Sequence, residues 1–239
     1  MIRAVPFALC FWFASFIASA QPHPAPLFSA EDLLGQFDPS AHPDFERIPN
    51  TFTRKQHIYL RREVLSAFES MWMAAKKEGV QLEIISATRN FTAQKSIWNR
   101  KWNSSRFMGF QGLNRALEIL RYSSMPGTSR HHWGTDIDLN ALENEWFDTP
   151  PGSLIYAWLL VNGPHFGFHQ VYTDKSQGRT GYEEEKWHWS YLPIAGPMWL
   201  QACAQFTNEN ISGFDGDQWA DSLQIMKNYV EGISQPSEE

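Results

Sequence analysis

Cysteine is nearly missing from this chain: there are two in 239 residues, and one of them, Cys10, lies in the first twenty. The single remaining thiol, Cys203, excludes an intramolecular disulfide framework, so the fold has to rest on packing and on any metal it holds. Basic charge is also short. Twenty Lys and Arg face 26 Asp and Glu, for a formal charge of −6, which leaves no cationic stripe to neutralise a phosphate backbone and excludes nucleic acid as a partner. Long apolar runs are lacking too. The one extended stretch, residues 4–17, falls short of the ~20 residues that span a bilayer. With Arg3 before it and Ala18-Ser19-Ala20 after it, it has the charged start, apolar middle and small-residue cleavage site of a secretory signal. Residues 1–20 are therefore expected to be a signal peptide, and the protein to be exported, periplasmic or extracellular, with no membrane span after cleavage. Fixed-period repeats and low-complexity blocks are absent, which excludes a solenoid or a fibrous array, and a monomer is expected.

Aromatic residues are plentiful instead, 15% of the chain with eleven Trp, enough apolar area for one sizeable core. Residues 21–56 carry Pro22, Pro24, Pro26, Pro39, Pro43 and Pro49 with little periodicity and read as an irregular arm around a short helix near 30–37. Leu60, Val64, Phe68, Met71 and Ala75 recur at helical spacing, with Gly79 placed as a C-cap, predicting a long amphipathic helix over 57–77. Alternation from Val80 to Ile84 predicts a strand, and Asn90 or Thr92 caps a following helix that runs past Trp98. Leu113, Leu117 and Leu120 predict another helix. Further strands are expected over 133–139, 166–172 and 186–192, a buried helix over 154–161, and a helical tail from 199 with Trp219, Leu223, Met226 and Val230 as its apolar stripe. Helices and strands mix without a βαβ rhythm, which favours α+β.

Two short segments carry the chemistry. Ser129-Arg130-His131-His132-Trp133-Gly134-Thr135-Asp136-Ile137-Asp138 and, about fifty residues on, Glu185-Lys186-Trp187-His188 offer two histidines and a carboxylate for a metal, with a glutamate to spare. A hydrolytic zinc site needs that set: three protein ligands, an open position for water, and a base to take the water's proton. In a strand over 133–139, Asp136 and Asp138 share a face. Asp138 is taken as the ligand, and Asp136 as its alternative or as a support behind it. His131, an odd seven residues before Asp138, has to come from the preceding loop, and His188 faces the site while Trp187 and Trp189 pack away from it. Glu185 is the general base and acid, and His132 is assigned to packing or to a hydrogen bond behind the ligands. A third segment, Ser86-Ala87-Thr88-Arg89-Asn90-Phe91-Thr92-Ala93-Gln94, sets Arg89 at a strand end, where a guanidinium suits a substrate carboxylate or a carbonyl oxygen gaining negative charge.

On these residues the chain resembles the metallopeptidases typified by VanY-like D-alanyl-D-alanine carboxypeptidases and the related D-Ala-D-Ala dipeptidases. Their patterns are Ser-x-x-Arg-x-x-x-x-Gln, Ser-x-His-x-x-Gly-x-Ala-x-Asp and Glu-x-Trp-His. They are matched in order by Ser86, Arg89 and Gln94, by Ser129, His131, Gly134 and Asp138, and by Glu185, Trp187 and His188. Asp136 departs from the pattern, standing where alanine is usual, and adds negative charge near the metal. The resemblance, over roughly residues 60–192, implies a small antiparallel sheet with helices packed around it and a zinc site at the sheet cleft. It further implies one zinc ion on His131, Asp138 and His188, and hydrolysis of peptidoglycan stem peptides. Arg89 would contact substrate and Ser129 line the site, with Gln94 and Trp187 as further substrate contacts. Residues 57–239 are then a zinc metallopeptidase domain with a helical C-terminal extension. Release of terminal D-alanine is the leading expectation. A D-Ala-D-Ala dipeptidase or a cross-bridge endopeptidase is the alternative on the same site. A non-catalytic zinc module that binds peptidoglycan or a partner, like the related Hedgehog signalling domains, is the other, and the presence of Glu185 argues against it.

Overall fold

The computed structural model describes residues 27–234, so the signal peptide expected at 1–20 lies outside the described residues. Helix α1 (Ala30–Leu34) is capped by the Ser29 hydroxyl, which accepts from the Asp32 N–H at 3.0 Å, and is ended by Gly35 in the left-handed region. Its buried Leu33 packs with Trp133, Ala195 and Met198, and Trp133 Nε1 donates to the Leu33 carbonyl at 3.0 Å. Strand β1 (Phe45–Arg47) pairs antiparallel with β2 (Tyr59–Arg61). Part of the proline-rich stretch is thus regular structure tied to the segment that carries the first motif.

Strand β2 corrects the helix expected from 57, because helix α2 spans Arg62–Lys77. The backbone before it is committed elsewhere: Thr88 N–H donates to the Tyr59 carbonyl at 3.2 Å and Arg61 N–H to the Gly134 carbonyl at 3.2 Å. Tertiary hydrogen bonds here override a 3.6-residue apolar pattern. α2 buries Val64, Leu65, Phe68, Met71 and Ala75, the larger ones contributing ~1.5–3 kcal/mol each, and Gly79 (φ 79°) supplies the left-handed residue after its end. Phe68 has no exposed surface and packs edge-on against Phe52 and Phe168. Phe68→Ala is expected to cost ~3–5 kcal/mol in a urea unfolding curve.

The main sheet is antiparallel in the order β3, β4, β6, β5, built from β3 (Ile84–Ser86), β4 (Asp136–Leu139), β5 (Phe168–Gln170) and β6 (His188–Tyr191). Its register places Asp138 opposite His188, Asp136 opposite Ser190 and Ile137 opposite Trp189. Alternation then sends two polar pairs to one face and the apolar pair to the other. Ile84, Ile137, Leu139 and Trp189 join the α2 side chains in one core, together with Ile155, Trp158 and Leu159 of helix α5 (Gly152–Asn162). A second apolar cluster gathers Trp98 of α3 (Phe91–Trp102), Ile119 and Leu120 of α4 (Gly112–Leu120), Tyr172, Tyr182 and Leu223. Ile119, Tyr172 and Tyr182 of that cluster also line the cleft on the polar face. Helices around a small antiparallel sheet make an α+β fold, as the sequence implies.

The strands are shorter than expected, and β3 starts only at Ile84, where the alternation from Val80 ends. Residues Arg130–Trp133 form a turn of 3-10 helix, Gly134 follows in the left-handed region (φ 70°), and only then does β4 begin. A Cβ on Gly134 would collide with the Phe45 ring, so conformation and close packing both require glycine here. Helix α5 is not fully buried: Leu154, Leu160 and Val161 are exposed, because its apolar run covers both faces and only one meets the core. Helix α6 (Leu192–Gln205) begins earlier than the tail helix expected from 199, and beyond it the chain makes short turns rather than one helix. Gly213 (φ 95°), Gly216 (φ 81°) and Gln224 (φ 47°) each reverse the helical handedness. Leu223, Met226 and Val230 are buried all the same.

Candidate metal centre and cleft

Backbone and imidazole hydrogen bonds join the arginine segment to the first histidine segment. His131 Nδ1 donates to the Ala87 carbonyl at 2.8 Å, and Arg89 N–H donates to the His131 carbonyl at 3.1 Å. His132 bridges the other way: its Nε2 accepts from Gly127 N–H at 3.0 Å, which leaves Nδ1 to donate to the Arg89 carbonyl at 2.6 Å. Burial pushes the His132 imidazole down to about 3, so this ring is neutral and acts as a clamp. Asn90 then caps α3, its side chain accepting from Ala93 N–H at 2.9 Å, which fixes the helix start directly after Arg89.

His131, Asp138 and His188 are all buried and place one ligand atom each within 4.8 Å of one another. His131 Nε2 lies 3.3 Å and His188 Nδ1 3.1 Å from the same oxygen, Asp138 Oδ1. Two ligands at ordinary zinc distances in a tetrahedron are about 3.3 Å apart, so the spacing fits one ion. The hydrogen bonds point the same way. His131 Nδ1 is engaged by Ala87 and His188 Nε2 by Asp136 Oδ1 at 3.0 Å, so two imidazole lone pairs and a carboxylate converge with no donor among them. Only a cation or an added proton satisfies three facing acceptors. Without metal the proton goes to His188. Burial opposes its charge, but the flanking Asp136 and Asp138 outweigh burial and raise it to about 9, while burial and Arg89 lower His131.

Glu185 sits beside this triad, with Oε2 3.8 Å from His188 Nδ1. Burial raises its carboxyl to about 7, against the lowering pull of His188. It comes from the turn before β6, as expected, pinned by Glu185 N–H donating to the Tyr172 carbonyl at 2.9 Å and His188 N–H donating to the Glu185 carbonyl at 3.2 Å. Arg89 and Ser129 line the same cleft, a cavity of about 810 Å³. Arg89 Nε and Ser129 Oγ are buried without a hydrogen-bond partner.

Trp187 departs from the strand alternation that sent it away from the site but lies in the cleft where the resemblance put it, and Gln94 departs from the contact the resemblance implies. Trp187 lies before the regular strand, so its indole lines the cleft near Tyr122 (ring centroids 6.3 Å apart) while Trp189 alone enters the core. Gln94 is not among the cleft-lining residues: it is 1% exposed, and its Nε2 donates to the Ser124 carbonyl at 2.7 Å. It therefore shapes the cleft through Ser124, which does line it. Arg130, Lys101, Tyr172 and Tyr182 also reach the cleft and were not singled out by sequence. Arg130 was within view, being the variable position of the Ser-x-His motif opposite the unusual Asp136. The other three come from segments with no motif to mark them.

A sheet whose polar face, with the turn before β4, gathers His131, Asp138 and His188 beside a buried carboxylate and an unpaired arginine defines an α+β protein with a candidate metal site. The chain belongs to the VanY family, D-alanyl-D-alanine carboxypeptidase, whose sequence profile matches residues 57–194. It is 31% identical over 165 residues to YodJ of Bacillus subtilis, provisionally named a carboxypeptidase, covering 67% of this chain and 56% of YodJ. The chain thus spans little more than half the length of that relative. Among solved structures, VanYB in complex with D-alanine-D-alanine is similar with a TM-score of 0.51 at 24% identity, over 67% of this chain and 83% of that one. The D,D-pentapeptidase VanY of a VanB-type resistance cassette, in complex with Zn(II), is similar with a TM-score of 0.50 at 23% identity, over 64% and 87%. These likenesses establish the fold.

Proposed function

We propose that this protein is an exported zinc-dependent peptidase acting on peptidoglycan stem peptides, as a D-alanyl-D-alanine carboxypeptidase that releases the terminal D-alanine. The observation that carries the reading is the convergence of three acceptor atoms beside buried Glu185, in a cleft whose Arg89 lacks a partner. Two solved structures of the same fold lend support, one with Zn(II) and one with D-alanine-D-alanine. His131, Asp138 and His188 would hold the ion, which would supply a Lewis acid for the scissile carbonyl and bring a water's pKa toward neutrality. Glu185 would take the proton of the water that adds to the scissile carbonyl carbon and pass it to the amine as the C–O bond forms and the C–N bond breaks. Arg89 holds the substrate's terminal carboxylate, with Ser129 and Trp187 completing the wall and Gln94 supporting it from behind. Among the described residues no helix is long and apolar enough to cross a membrane.

Lys101 lines the same wall. Burial, and then the charge of Arg89, hold its ammonium below the ordinary value, so two cations share the substrate end. This favours peptides with a second carboxylate near the terminal one. Lys101→Met is expected to lower kcat/KM about tenfold for such peptides and less for neutral ones, the effect of losing one charged hydrogen bond.

Incubation with defined muropeptides, followed by mass spectrometry, tests the whole reading. Loss of one alanine is the expected result. Loss of a dipeptide or a cut cross-link moves the assignment to the dipeptidase or endopeptidase on the same site. Zinc binding with no hydrolysis of any wall peptide overturns the enzyme in favour of a binding module.

A further inference from the structure

We propose that Asp136 is a positioning residue for His188, fixing which ring nitrogen meets the metal, and that Arg130 is present to neutralise it. The inference rests on His188 being a ligand. Asp136 has no exposed surface. Its Oδ1 receives Arg130 Nε at 2.9 Å and His188 Nε2 at 3.0 Å, and its Oδ2 receives the Thr135 hydroxyl at 2.5 Å. Arg130 in turn donates through Nη2 to Ser190 Oγ at 2.6 Å and lies over the Trp133 ring, 4.7 Å from its centroid. The strand register explains the arrangement: Asp138 is opposite His188 and Asp136 opposite Ser190, so the imidazole spans two rungs and touches a carboxylate at each nitrogen.

With both nitrogens engaged, a ring flip would exchange an N–H donor for a lone pair facing Asp136. That exchange leaves two buried acceptors in contact, a costly arrangement in a low-dielectric interior. Asp136 therefore holds the proton on Nε2 and leaves Nδ1 for the ion. A carboxylate on the far nitrogen also makes an imidazole a stronger ligand. A second anion on this face would burden the centre with charge, and Arg130 answers it at 2.9 Å. Alanine, usual in the resembling motif, would need no such cation. Asp136 and Arg130 thus act as one substituted unit, with Ser190 and Trp133 holding the guanidinium in place.

The test measures zinc affinity by chelator competition for wild type, Asp136→Asn and the paired variant Arg130→Leu with Asp136→Ala, which leaves no orphaned charge. The paired variant is expected to bind zinc 10–100-fold more weakly, the usual loss when a group behind a ligand is removed. Asp136→Asn is expected to recover most of that, since its amide oxygen still accepts from Nε2–H. Nitrogen-15 spectra of the zinc-loaded wild type should show the His188 proton on Nε2. A folded paired variant that binds zinc within twofold of wild type overturns the proposal. Should the paired variant fail to fold, a wild-type spectrum with the proton on Nδ1 overturns it, and one with the proton on Nε2 that shifts in Asp136→Asn sustains it. A His188→Ala protein with undiminished zinc affinity overturns the metal reading itself, and is a different failure.

Discussion

Replacing Glu185 by glutamine is expected to leave the metal in place and to lower kcat for peptide hydrolysis by roughly 10²–10⁴. Glutamine keeps the size of the side chain and both backbone bonds that pin the turn, so the loss isolates proton transfer. Oε2 stands 3.8 Å from His188 Nδ1, close to the ligands without being one of the three converging atoms. Burial holds the carboxyl near 7, above its ordinary 4.5, and a bound cation would draw it back down. The base form is the one that works, so kcat/KM should rise with pH through a limb between about 4.5 and 7 and fall away below it. In Glu185→Gln that limb should vanish from the residual activity. The measurement is zinc stoichiometry and a pH–rate profile on the same preparations. Undiminished hydrolysis would remove Glu185 from the mechanism, and loss of zinc would make it a ligand.

The parts of this site that could be read from sequence are those governed by local geometry or by ligand chemistry. Asp136 and Asp138 share a face because a strand has a two-residue period, whatever packs around it. His131 had to leave that strand because seven is odd, and it does, on the turn Arg130–Trp133. What stayed hidden depends on contacts distant in sequence. Tyr59–Arg61 has a helical pattern, yet its amides and carbonyls are taken by β1, Thr88 and Gly134. Arg61 is buried and donates to the Trp133 carbonyl at 2.7 Å, which no spacing rule announces. The tail kept its apolar side chains inward and lost its helix, because burial follows hydrophobicity while continuity yields to Gly213, Gly216 and Gln224. Trp187 was sent to the core by strand alternation and reaches the cleft instead, since the Glu185–His188 turn displaces it from that register.

Asp138→Asn is expected to remove the metal altogether, and this separates the two carboxylates that strand geometry alone left paired. Asp138 Oδ1 is the atom common to both imidazole contacts, at 3.3 Å and 3.1 Å. Asp136 Oδ1 reaches only the outer nitrogen of His188 and is already shared with Arg130. An amide at 138 keeps the shape, but it brings a neutral oxygen or an N–H to a point where two lone pairs converge, and the anion that balanced the ion is gone. The loss should exceed the 10–100-fold typical of a residue behind the ligands. Thermal unfolding reads it without reference to activity. Zinc at a thousand times its Kd stabilises a folded protein by about 4 kcal/mol when the unfolded chain does not bind it. Wild type should therefore melt higher with zinc than with chelator, and Asp138→Asn should melt at one temperature in both. If Asp138→Asn keeps the zinc-dependent rise and Asp136→Asn loses it, the ligand is Asp136, and the unusual residue in the motif is the one that holds the ion.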